Sequence, residues 1–218
     1  MIHARRSIWK AAALGCCGVA LAGCALLGSR GAAPPKLFAL EPPRAHAAAH
    51  DVAAAAIDVA IPTARAGFDG SRMAYVTRPY ELQFFANHQW VEPPPRMLAP
   101  LLAEALERDG RFVASPNGNG AAAALRLETE IVLLQQEFAA PPSAVRFRLD
   151  ARLVDPGSRR VLAASAFEAV EAAPSEDPYG GVIAANRAVA RVLGEVAAWC
   201  GRNAPAADRA AATPGSDR

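Results

Sequence analysis

Two stretches of this chain alternate so regularly that they leave few folds open. Leu125, Leu127, Thr129, Ile131 and Leu133 alternate with Arg126, Glu128 and Glu130. Val145, Phe147, Leu149, Ala151 and Leu153 alternate in the same way with Arg146, Arg148, Asp150 and Arg152. Successive side chains of an extended strand point to opposite faces, so each stretch reads as a strand with one apolar and one wet face. A third run, residues 161–170, follows Asp155-Pro156-Gly157-Ser158, a set of residue types that reverses a chain. The pattern predicts an antiparallel meander with one buried face.

Something apolar must cover that face, and two stretches with helical period can do so. Met97, Leu98, Leu101, Leu102, Ala105 and Leu106 form one stripe, with Arg96, Glu104, Glu107 and Arg108 opposite. Pro100 is expected within the first turn, where its missing N–H has no intrahelical partner, and Gly110 is a natural stop. Val182, Ala185, Val189, Val192, Val196 and Trp199 form the second stripe, on a helix expected to run to about Cys200. Asn186, Arg187, Arg191 and Glu195 lie on its other side. Shorter strand signals occupy residues 36–40 and 57–61, the latter stopped by Pro62. Residues 72–77 and 80–85 read as a hairpin turning at Arg78-Pro79. The fold class expected is therefore α+β: a two-layer domain with a mostly antiparallel sheet of five to six strands and two helices packed on one face.

The first residues speak to compartment. Arg5, Arg6 and Lys10 precede an apolar stretch, residues 11–22, far short of the roughly 20 residues a spanning helix needs. It closes on Leu21-Ala22-Gly23-Cys24, which resembles the bacterial lipobox. Small residues let an extended backbone enter a narrow peptidase site, and the Cys24 thiol can accept a diacylglyceryl thioether. Residues 1–23 are thus expected to be a lipoprotein signal peptide, and Cys24 to carry diacylglycerol and an N-acyl chain. Arg5-Arg6-Ser7-Ile8-Trp9-Lys10 leaves both the twin-arginine and the general secretory route open. Ala25 stands where an Asp would resemble an inner-membrane retention signal, which points to the inner leaflet of the outer membrane, facing the periplasm. Residues 24–35 read as the lipidated Cys and a tether whose residues 25–35 span at most about 36 Å, residues 36–200 as the folded domain, and residues 201–218 as a disordered tail.

Chemistry-bearing residues are sparse. Four histidines (His3, His46, His50 and His88) stand without a Ser or Cys nucleophile motif, and no Cys/His spacing suits zinc. Gly180-Gly181 fits a helix-start turn better than a phosphate loop. A net charge of +2 points to no polyanion, hence to no nucleic acid, and Glu128 and Glu130 can offset Arg146, Arg148 and Arg152. No enzyme, metal site or cofactor is expected beyond the covalent lipid. The segment around residues 72–90 is the exception in character, with Tyr75, Tyr80, Phe84, Phe85 and Trp90. Phe84 and Trp90 are expected in the core, whereas Tyr75, Arg78, Tyr80 and Phe85 are the candidates for partner contact.

The order of these features resembles a known family. Lys36-Leu37-Phe38-Ala39-Leu40 is similar to its opening "Y-x-L" strand, with Phe38 in place of Tyr, and residues 57–62 resemble its "I-x-V-x-x-P" strand. Residues 72–80 resemble "R-I-x-x-R-x-x-x-x-x-Y", and Trp90-Val91-Glu92-Pro93 its lead into the first helix. Leu153-Val154-Asp155 with Arg160-Val161-Leu162 and Phe167 resembles its hairpin. Together these resemble the ABC-type transport auxiliary lipoproteins, the paraquat-inducible protein C-like family. Membership implies a membrane-tethered accessory of an ABC permease/ATPase assembly carrying a mammalian-cell-entry-type (MCE) substrate-binding protein. Such systems move lipids or other hydrophobic molecules between inner and outer membranes. A second copy of the chain is a further partner to consider. The alternative reading is a structural envelope lipoprotein bound to peptidoglycan or an outer-membrane protein.

Overall fold

The computed structural model describes residues 34–41, 54–116 and 123–205. In chain order these form β1 (Lys36–Phe38), β2 (Ala55–Val59), β3 (Thr63–Ala64), β4 (Arg72–Val76), β5 (Leu82–Trp90), α1 (Pro94–Arg108), β6 (Phe112–Pro116), β7 (Leu125–Glu137), β8 (Ala144–Asp155), β9 (Arg160–Ala172) and α2 (Pro178–Asn203). The expected α+β class holds, as a mixed sheet with two helices against it.

The long strand β7 organises the sheet. On one side it pairs antiparallel with β8, which pairs antiparallel with β9, the meander expected from the alternation. On the other side β2, β3 and β4 follow one another along it, each parallel to it, through Ile57↔Leu125, Thr63↔Glu130 and Ala74↔Gln135. Beyond them, β6 pairs parallel with β2, β5 antiparallel with β4, and β1 parallel with β5. The sheet has nine strands, against the five or six expected. The additional ones are short: β3 has two residues, and β6 lies in Phe112-Val113-Ala114-Ser115-Pro116, too brief to establish a period.

The register also corrects one face. A bulge falls between Ile131 and Leu133, where Ile131 pairs with Leu149 but Leu133 pairs with Arg148. The extra residue reverses the alternation. Leu133 therefore shares the wet face with Arg148, Leu134 replaces it inside, and Gln136 is buried at 3% exposure.

Both helical stripes point inward. Leu98, Leu102, Leu106, Val189, Val192 and Val196 are essentially inaccessible, and they meet Leu127, Ile131, Phe147 and Leu149 of the sheet. Leu101 sits at the margin, partly buried. Helix α1 packs on β6 and β2, and α2 on β8 and β9. Pro100 lies deeper than expected: α1 begins at Pro94, so Pro100 falls in the second turn and deprives the Arg96 carbonyl of its donor. Both residues are exposed, and water can meet that carbonyl. After α1, Gly110 takes φ +81°, the left-handed conformation that stops the helix.

Helix α2 starts and ends further out than its apolar stripe. Asp177 caps it by accepting from the Gly180 N–H at 2.7 Å, so Gly180-Gly181 belong to its first turn. Gly181 allows a close approach: a β-carbon there would lie 2.2 Å from Gln136 Oε1. Gln136 Nε2 donates to Ser143 Oγ at 3.0 Å and to the Asp177 carbonyl at 3.2 Å, tying the helix start to β7. The helix continues to Asn203, past the end expected at residue 200, so the first residues assigned to the tail are ordered. The rest of that tail from residue 206, the signal segment, Cys24 and nearly all of the tether lie outside the described residues. Among the described residues no helix is long and apolar enough to cross a membrane.

Candidate docking hairpin

The β4–β5 hairpin gathers the four residues expected to contact a partner, but at two different depths. Its turn is Arg78-Pro79-Tyr80-Glu81. Pro79 fixes one φ, and the Glu81 N–H reaches back to the Arg78 carbonyl at 3.4 Å. Tyr80 closes the turn at φ +68°, a region that bulky L-residues rarely enter. Its ring is fully exposed, at 107% of the reference area. Arg78 is also exposed and pairs with Glu81 across the turn. Glu81 accepts in addition from Gln83 Nε2 at 3.0 Å, and Gln83 Oε1 accepts from the Tyr75 hydroxyl at 2.7 Å. A hydrogen-bonded stalk therefore presents an aromatic tip.

Below the tip the aromatic residues pack. Tyr75 stacks on Phe85 with centroids 4.5 Å apart, and Phe138 meets both edge-on at 6.0 and 6.4 Å. The row continues from Phe85 to His88 at 6.0 Å, from His88 to Phe38 at 5.9 Å, and from Phe38 to Tyr179 at 6.3 Å. Phe85 enters this row by ordinary alternation: Tyr75 pairs with Gln83, so Phe85 is its diagonal neighbour on the same face, and β5 bulges only beyond Phe84, where the next partner of β4 is Gln89, opposite Arg72. Tyr75 and Phe85 are accordingly half-buried supports, while Tyr80 and Arg78 are the accessible pair. Trp90 is buried as expected; Phe84 is only partly so, with the Arg72 guanidinium 3.8 Å from its ring centre. His88 serves as an aromatic spacer within the row. Beside Tyr179, the Asp177 carboxyl is held below its ordinary range, first by the Gly180 N–H and then by the Ser175 hydroxyl.

A second concavity lies on the wet face of the sheet. It is a groove of about 640 Å³, lined by Arg126, Glu128, Glu130, Asp150 and Arg152 among others. Its charges answer one another. Arg126 reaches Asp58 at 3.2 Å and Glu128 at 3.6 Å, Arg65 reaches Glu130 at 3.8 Å, and Arg152 stands opposite Glu128 in register. Nearby, Arg148 meets Asp150 at 3.4 Å, and Arg146 lies between Glu137 and Glu168, at 2.8 and 2.5 Å. The arginine row of β8 is thus a neutralised sheet face. Among the described residues no three His, Cys, Asp or Glu converge as metal ligands. Cys200 is a free thiol sealed in the core, and burial pushes its pKa up to about 12.

Known proteins agree with this fold. Protein XCC0632 from Xanthomonas campestris, described with the family model DUF330, superposes with a TM-score of 0.66 at 22% identity, over 75% of this chain and 93% of its own. A second solved structure, described as an uncharacterized protein, gives 0.63 at 13% identity, over 76% of this chain and 98% of its own. At such identities the likeness is one of fold. Among curated proteins none matches the sequence. The sequence itself matches the family described as ABC-type transport auxiliary lipoprotein component over residues 38–197, nearly all of the folded part. The chain belongs to that family, and is an auxiliary lipoprotein of an ABC-type transport system, held at the cell envelope by a lipid anchor.

Proposed function

We propose that the lipid sits on Cys24, that residues 24–35 form the tether, and that the folded domain faces the periplasm from the inner leaflet of the outer membrane. In this reading the domain serves an ABC assembly with an MCE-type substrate-binding protein, which moves lipids or other hydrophobic molecules between the two membranes. The lipobox-like Leu21-Ala22-Gly23-Cys24 and the absence of Asp after Cys24 support the anchoring. The observation that carries the role is the hairpin tip. A large aromatic side chain held wholly in solvent on a strained backbone, beside an arginine, has the composition of an interface hot spot and none of the packing of a core.

Co-purification from membranes tests the reading. Tyr80→Ala combined with Arg78→Ala is expected to weaken recovery of the MCE-type partner while leaving the circular-dichroism melt nearly unchanged. Undiminished recovery would place the interface elsewhere.

A further inference from the structure

The outer edge of β9 is open. Among the described residues this strand of thirteen pairs with β8 and has no strand on its other side. Such an edge offers a row of N–H and C=O groups to any strand of matching shape. β9 carries no proline that would remove a donor, and its middle, Ala163-Ala164-Ser165-Ala166, is small enough for another backbone to approach.

Pairing with β8 assigns each side chain of β9 to a face. Val161, Ala164, Ala166, Glu168 and Val170 stand opposite Val154, Arg152, Asp150, Arg148 and Arg146, on the wet face. Arg160, Ala163, Ser165, Phe167, Ala169 and Glu171 share the helix-covered face. Leu162 is the extra residue of a bulge, which brings Val161 onto the same face as Val170.

We propose that β9 pairs antiparallel with β9 of a second copy of this chain, about a two-fold axis at Ala166, joining the two sheets into one. An antiparallel pair places residues of the same face opposite each other, and a two-fold interface must complement itself. With Leu162 bulged out, this register sets Ala166 against its own copy, Ala164 against Glu168, and Ala163 against Ala169. Val161 and Val170, both large apolar side chains in solvent at 48% and 44% exposure, then meet each other. Arg160 meets Glu171, whose carboxylate already faces Arg191 at 3.7 Å. Moving the axis to Ser165 puts Val161 against Glu168, and moving it to Phe167 puts Val161 against Ala172, so the Ala166 register alone satisfies both matches. The exposed Val161 and Arg160 at one end are answered by Val170 and Glu171 at the other end of the same strand, which favours a second copy over a foreign strand. β9 lies at the opposite side of the sheet from β5, so pairing there leaves the Tyr80 hairpin free and does not depend on its role.

Cysteine cross-linking of the full chain in membranes tests both the contact and its register. Ala166→Cys, at an exposed position on the axis, is expected to give a disulfide-linked dimer under mild oxidation, with Cys200 buried and out of reach. Val161→Cys and Val170→Cys are expected to stay monomeric when expressed singly and to cross-link when expressed together. Glu171→Arg should abolish the Ala166→Cys dimer, and adding Arg160→Glu should restore it. A monomeric Ala166→Cys chain, self-linking of Val161→Cys as strong as the mixture, or failure of the double reversal to restore the dimer would each overturn the proposal.

Discussion

At the scale of single residues, Tyr80 is the point where stability and role diverge. Its left-handed backbone costs on the order of 1–2 kcal/mol relative to a residue without a β-carbon, and the exposed ring recovers none of that by packing. Tyr80→Gly is therefore expected to raise stability by about 1 kcal/mol, a shift of roughly 2–4 °C in Tm for a domain of this size, while losing partner recovery. A lower Tm would show that the ring packs in a way the exposed geometry excludes. Glu137 tests the wet face in a different way. The hydrogen bond from Arg146, with a smaller one from Gln135, holds its carboxyl below the usual range against the opposing effect of burial. A folded-state pKa lowered in this sense stabilises the fold above the unfolded value and loses that contribution as pH falls through the folded one. Glu137→Gln should hence melt below the wild type at neutral pH, and the gap should close on acidification beneath the carboxylate range. A gap constant with pH would mean the ion pair contributes nothing.

Among the elements, the two helices carry the layer that closes the sheet, and their residues differ in depth along a single stripe. Leu102 is 1% exposed, whereas Leu101 beside it is only partly buried. Leu102→Ala leaves a cavity under α1 and is expected to cost about 2–5 kcal/mol by chemical denaturation; Leu101→Ala should cost clearly less. Equal losses would contradict the packing of α1 on β2 and β6. The sequence made these elements legible wherever one period ran long enough. The stripes of α1 and α2 and the alternation of β7 and β8 are such cases. It misled where a single residue broke the period, as at the β7 bulge, which exchanged Leu133 for Leu134 inside. It was silent on β3 and β6, whose pairing is parallel and set by distant partners. The hairpin shows the same division. The turn residues Arg78-Pro79 announce its position, but the register that pairs Tyr75 with Gln83, and so sets Phe85 diagonally against Tyr75, has no local signature. Tyr75 and Phe85 thus look as available as Tyr80 until the register is known.

For the whole molecule, the neutralised sheet face and the sealed thiol set off the exposed hairpin tip as the surface proposed for the contacts of this auxiliary lipoprotein. Fold and family were readable from the order of weak motifs. The hairpin proposed to dock was named by the sequence as well, but not which of its four candidates stand exposed, because exposure depends on how strands pair and not on residue type. In the proposed role, the β4–β5 tip docks onto the transport assembly. A photo-reactive phenylalanine analogue at position 80 of the full-length chain, activated in intact cells, tests it most directly. One dominant adduct is expected, with the MCE-type subunit of the ABC system, and little from the same probe at position 152 in the wet-face groove. An adduct with that subunit from position 152 and none from position 80 would contradict it.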